Sequence, residues 1–306
     1  MHDPCETSPV TKRSALLRAL AGWATMFLVQ GLAIALARRV SDWTADSVAV
    51  QYWTQAVLVA ALVVPAILLL RSRVDRRSAA GMGWARPFGG AVAIGAGVAL
   101  VSALVVWGPA LLAGWITVGR VDPVQILVFL LVNTIVLVLY EALPEEIALR
   151  GYAWTNMRDG WGPAMATVVV TALFPVGVAL SDACRLVVET VLGGDPDPYS
   201  AVPEGTDPLV YVVQLTLFGL ALVAARRLPL AGALGAAIAF HTVQLTVNRL
   251  ILGGTVLVDS GVEVTMAAPE VMALVFVHIV LGGSFFVGLR MVLPDARREV
   301  PRRSAA

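Results

Sequence analysis

Long apolar runs alternate with short polar breaks along almost the whole chain. A helix needs about 20 consecutive apolar residues to cross the hydrocarbon core of a bilayer, so runs of this length read as membrane spans. About eight are predicted, near 15–37, 53–70, 89–112, 124–143, 163–180, 209–225, 230–252 and 271–293. The expected fold is therefore all-α, a polytopic membrane helix bundle. Its single transmembrane domain covers 14–293 and has its chemistry-bearing core at 124–252. A polar N-terminal tail (1–13) precedes it and a basic tail (294–306) follows.

Composition agrees with this pattern. The chain of 306 residues is 58% hydrophobic and 14% charged, where a soluble domain carries about a quarter charged residues. The first apolar run is long and ends in Arg38 and Arg39, which fits a retained anchor better than a cleaved signal. Arg18 near its start can snorkel to the interface. Of the 22 lysines and arginines, all but Arg38, Arg39, Arg120, Arg185 and Arg249 fall on the N-terminal side of an eight-span topology. The excess of positive charge on cytoplasmic loops then places both termini in the cytoplasm, in a multi-pass protein of the plasma (inner) membrane. The loop from Ser181 to Pro208 is rich in acids and prolines and lies outside, with Cys184 to Leu192 expected as a short interfacial helix. Cys5 and Cys184 fall on opposite sides, which rules out a disulfide framework and a thiolate metal site. There is no internal repeat, no glycine-rich phosphate loop and no nucleic-acid signature. The partners expected are the lipid bilayer and a membrane-embedded peptide or protein.

One stretch breaks the apolar pattern inside a span. Glu141-Ala142-Leu143-Pro144-Glu145-Glu146-Ile147-Ala148-Leu149-Arg150-Gly151 follows a nearly uninterrupted apolar run. Ionised groups inside a bilayer cost at least a few kcal/mol, so they default to a functional hypothesis. Glu141 and Glu145 share a helical face, and Glu146 precedes Arg150 by four residues, the favourable order for a pair. Pro144 lacks an amide hydrogen and should kink the helix. The topology puts Glu145, Glu146 and Arg150 at the cytoplasmic end of the fourth span. An ordinary interfacial ion pair would explain Glu146 and Arg150, but not three acids around a proline.

Two histidines lie within spans. His241 sits mid-way along the seventh, with Gln244 and Asn248 on the same face, and small residues around Ala231–Ala237 suit that helix to the centre of the bundle. His278 lies in the eighth. An interhelical hydrogen bond is the commoner use of a membrane histidine. The sharper reading makes His241 and a glutamate of the fourth span ligands of one metal, since zinc takes imidazole nitrogen and carboxylate oxygen and keeps a position for water. A second glutamate would then move the proton of that water.

Glu145-Glu146-Ile147-Ala148-Leu149-Arg150-Gly151, followed by the aromatic Tyr152, resembles the E-E-x-x-x-R-G signature of the CPBP intramembrane metalloproteases, also called the CAAX-protease or abortive-infection family. The resemblance runs from about Val124 to Asn248. In the second family motif, F-x-x-x-H, Phe174 is present and Val178 stands at the histidine position. In the third, H-x-x-x-N/D, His241 is present and Leu245 stands four residues on; Gln244 or Asn248 could supply the amide. The resemblance implies that Glu145, Glu146 and Arg150 are catalytic and that Glu145, Glu146 and His241 hold a divalent metal, zinc by preference. Glu141, Asn248, Gln244 and His278 are further candidate donors. The implied activity is a metallo-endopeptidase cleaving a membrane-embedded or lipid-linked peptide in a cavity open to the cytoplasm. A relative that has lost its metal and only binds a membrane peptide is the alternative suggested by Val178. A transporter is a third, which the lack of a second acidic cluster disfavours.

Overall fold

The computed structural model describes residues 10–44, 47–203 and 205–294; most of the N-terminal tail and nearly all of the basic C-terminal tail lie outside the described residues. Helix α1 (Lys12–Trp43) begins at Thr11, whose side chain accepts the amide of Ser14, a cap for an otherwise unpaired donor. Ser47 does the same for α2 (Val48–Leu69). Helix α3 (Gly89–Leu112) leads to strand β1 (Ile116–Val121). Asp122 caps α4 (Pro123–Leu137), with proline in the first turn where no amide hydrogen is missed. A short helix α5 (Leu143–Glu145) and the long α6 (Trp154–Val191) continue the same run. Helix α7 (Pro208–Arg226), helix α8 (Ala233–Ile251), strand β2 (Val262–Met266) and helix α9 (Leu274–Val292) complete the chain. The two strands pair antiparallel, Ile116 opposite Met266, in a two-stranded sheet that sequence reading did not anticipate.

Among the described residues six helices are long and apolar enough to cross a membrane, with the run 123–191 taken as one. That run holds the fourth and fifth predicted spans. It breaks at Gly162, whose φ of 83° and ψ of 165° are open to glycine and strained for other residues. Helix α1 measures the two legs. Trp161 donates its indole N–H to the carbonyl of Lys12 at 2.9 Å, the ring of Tyr152 lies against Gly22, and Tyr140 lines a cavity with Gln30 and Ile34. The first leg therefore runs antiparallel to α1. In the second leg Gly177 packs on Phe27 and Glu189 meets Arg38 at 3.3 Å, so this leg runs parallel to α1.

Two expectations change as a result. The helical run that holds the fourth span does not end at Leu143 but carries on to Trp161, so Glu145 and Glu146 stand about half-way along α1 and not at the end of their helix. The separate interfacial helix expected at 184–192 is the last turns of α6, which tie down to α1 through Arg38.

Helix α8, the predicted central helix, is walled in by α3, α7 and the acidic run. Ala233, Leu234, Gly235, Ala236 and Ala237 are all buried. Without a hydrophobic drive between helices in lipid, close backbone approach holds such contacts. An added Cβ at Gly95 of α3 would come 2.8 Å from the Ala236 Cα. Gly95→Ala is thus expected to cost about 1–3 kcal/mol through overpacking, read as a lower unfolding midpoint in detergent micelles; an unchanged midpoint would refute this contact.

Near the Gly162 end, Asp75 gathers four donors. Arg71 and Asn156 reach one oxygen at 3.2 and 3.1 Å, and Tyr152 and Arg18 reach the other at 3.1 and 3.3 Å. Charge-assisted bonds of this kind satisfy a buried carboxylate. Together they fasten α1, the end of α2 and the run carrying the acids into one register.

Candidate active site

The acids stand on an irregular stretch of helix. Residues 138–142 and 146–153 are π-helical, with α5 and its Pro144 between them. The amide of Leu143 bonds the carbonyl of Val138, and that of Trp154 the carbonyl of Leu149, each five residues back. Proline cannot complete the usual ladder. The expected kink is absorbed as a wider turn, a form that recurs at functional sites.

Glu146 is the fixed member. It is fully buried, and its Oε1 accepts from Arg150 Nη1 at 3.1 Å and lies 3.2 Å from His241 Nδ1. Arg150, also fully buried, places its guanidinium 4.5 Å from the ring centre of Phe174. Gly219 leaves it room, since a Cβ there would stand 3.3 Å from Nη2. The edge of Phe218 braces the His241 ring, with centroids 4.8 Å apart and planes at 82°. The predicted meeting of the fourth and seventh spans is thus a direct contact between Glu146 and His241.

Glu145 faces the other way, into a cavity of about 960 Å³. His241, Gln244, Glu141, Phe174 and Val178 line the same cavity, with Tyr140 and Tyr211 beside them. Gln244 is fully buried, and neither atom of its amide has a partner. A buried amide without partners costs roughly 1–3 kcal/mol, so this side chain is poised for a polar ligand.

The remaining candidates are engaged elsewhere. Glu141 accepts from Arg249 Nη2 at 2.8 Å, and Arg249 Nη1 reaches Asn133 at 3.1 Å. Asn248 pairs with His278 Nδ1 at 3.2 Å, while His278 Nε2 donates to the Ala99 carbonyl at 3.0 Å. His278 thus ties α9 to α3 and α8, the commoner use of a membrane histidine. Sequence reading missed Arg249 as the partner of Glu141, because no spacing along the chain links residues on two helices.

A catalytic zinc takes three protein ligands. Among the described residues no three His, Cys, Asp or Glu side chains form a group able to hold a metal. Glu146 and His241 supply two donors, and the shared Oε1 already carries Arg150. Val178 adds an apolar wall where a third donor would be needed. Glu146 and His241 are two of the three donors that a catalytic zinc would need.

Residues 127–247 match the model of a protein family described as "Type II CAAX prenyl endopeptidase Rce1-like". This match covers the acidic run, Arg150, Phe174, Val178 and His241, and bears out the resemblance to the CAAX-protease family read from the sequence. No curated protein and no solved structure matches the chain.

Proposed function

We propose, with the match to Rce1-like type II CAAX prenyl endopeptidases as the premise, that this multi-pass membrane protein is an intramembrane endopeptidase. Its substrate would be a membrane-embedded or lipid-linked peptide. The observation that carries this reading is the division of labour between adjacent glutamates: Glu146 is locked by Arg150 and His241, while Glu145 opens on the cavity.

In this reading the carboxylate of Glu145 removes a proton from a water held in the cavity. The water oxygen attacks the scissile carbonyl carbon, and the carbonyl oxygen takes the negative charge. The Gln244 amide donates to that oxygen, the kind of fixed donor that stabilises charge as it develops. Glu146 holds the imidazole through Nδ1, which turns Nε2 toward the reacting groups. As the carbon–nitrogen bond breaks, Glu145 returns its proton to the leaving amine. Arg150 is a positioning residue, acting through Glu146.

The test is cleavage of a farnesylated peptide with a CAAX ending by purified protein in detergent, before and after exhaustive chelation. Cleavage that survives chelation is expected. Activity lost on chelation and regained with zinc would overturn the carboxylate mechanism. Val178, an apolar residue in the cavity wall, supports one second reading, a protein that binds such a peptide without cutting it. Saturable peptide binding without any cleavage would favour that reading.

A further inference from the structure

We infer that the cavity is entered from the face of the membrane opposite the arginine-rich end of the bundle, so that its occupant is a membrane-tethered peptide already carried across the bilayer. The hydrolysis proposed above decides only what happens to that peptide; the side of entry stands on separate observations.

The first observation is where the cavity lies along α1. Gln30, Ile34 and Arg38 line it, each one turn further along the same face. They climb about 12 Å at 1.5 Å per residue, from the middle of α1 to near its far end. Nothing in α1 before Gln30 lines it. The mouth is completed by Asp197, Tyr199 and Val202 of the loop after α6, and by Arg249 near the end of α8. All of these belong to the end remote from Lys12 and Gly162.

The second observation is where the basic residues collect. Contacts across the bundle bring the basic segments together at the other end. Arg18 and Arg71 meet at Asp75, Arg77 meets Asp159 at 2.8 Å, and Trp161 bonds Lys12. Excess arginine and lysine mark the cytoplasmic side. The far-side exceptions are mostly committed: Arg38 to Glu189 and Asp197, Arg185 to Asp182 and Glu189, and Arg249 to Glu141. They brace the rim and carry little topological weight. This inference is the reverse of the cytoplasmic opening that the family resemblance implies. The reaction that supplies the substrate must be one that moves a polypeptide or a lipid-linked peptide across the membrane.

Thiol accessibility tests this without any need for activity. In a Cys5→Ser, Cys184→Ser background, Gln214→Cys places a thiol in the cavity wall and Arg227→Cys places one at the arginine-rich end. A membrane-impermeant methanethiosulfonate is then applied to right-side-out and inside-out vesicles from the expressing cells. The expected result is that Cys at 214 reacts only in right-side-out vesicles and Cys at 227 only in inside-out ones. Reaction of the cavity thiol from the cytoplasmic face, from both faces, or from neither before detergent is added would overturn the inference. Failed peptide cleavage with the expected labelling would instead count against the hydrolase alone.

Discussion

Glu145→Gln is expected to abolish peptide cleavage while leaving the fold and peptide binding intact. Glutamine keeps the size of the side chain and its place in the cavity wall, but it cannot accept the proton of an attacking water. General acid–base groups contribute roughly 10²–10⁴-fold to rate, and the loss in kcat should fall in that range with little change in KM. The contrast with Glu146 sharpens the test. Glu146 has no lining role in the cavity and is bonded to Arg150 and His241, so Glu146→Gln should disturb the position of the imidazole and lower stability along with activity. A Glu145→Gln enzyme that retained full turnover would remove the proposed base.

Arg150→Ala is expected to produce a large loss of stability. The guanidinium and Glu146 are both fully buried. Removing one partner strands the other as an uncompensated charge, which costs about 3–5 kcal/mol. The contact with the Phe174 ring is lost as well. Unfolding in mixed micelles with increasing denaturing detergent reads the effect directly. The double variant Glu146→Gln, Arg150→Met should recover much of the loss, since neutralising both partners of a buried pair is far less costly than deleting one. Equal losses in the single and double variants would show that packing, and not charge, dominates at this point.

The bundle was legible in the sequence because the bilayer imposes a length on apolar runs. The Glu146–Arg150 pair was legible too, since four residues on one helix are neighbours. His241 emerged as a candidate because it is a polar side chain mid-way along a span whose small residues suit it to the centre of the bundle. What the sequence withheld depends on contacts between distant segments. Apolar patterning has no signal for where Glu145 lies along the bundle axis, because the helix carries on through Trp161 in residues that read as a loop. Nor could spacing pair Glu141 with Arg249, or His278 with Asn248. The amides of Gln244 and Asn248 looked equivalent on the α8 face, and only the position of α9 separates them.

The reversal at Gly162 also governs how this chain tolerates insertions. Glu145 and Val178 line one cavity from the two legs of a single covalent hairpin folded at one glycine. An extra residue at the bend itself could loop out. The same residue placed within either leg would swing that wall by about 100° relative to the other. Drift in length among relatives should therefore gather around position 162 and avoid the two stretches on either side of it.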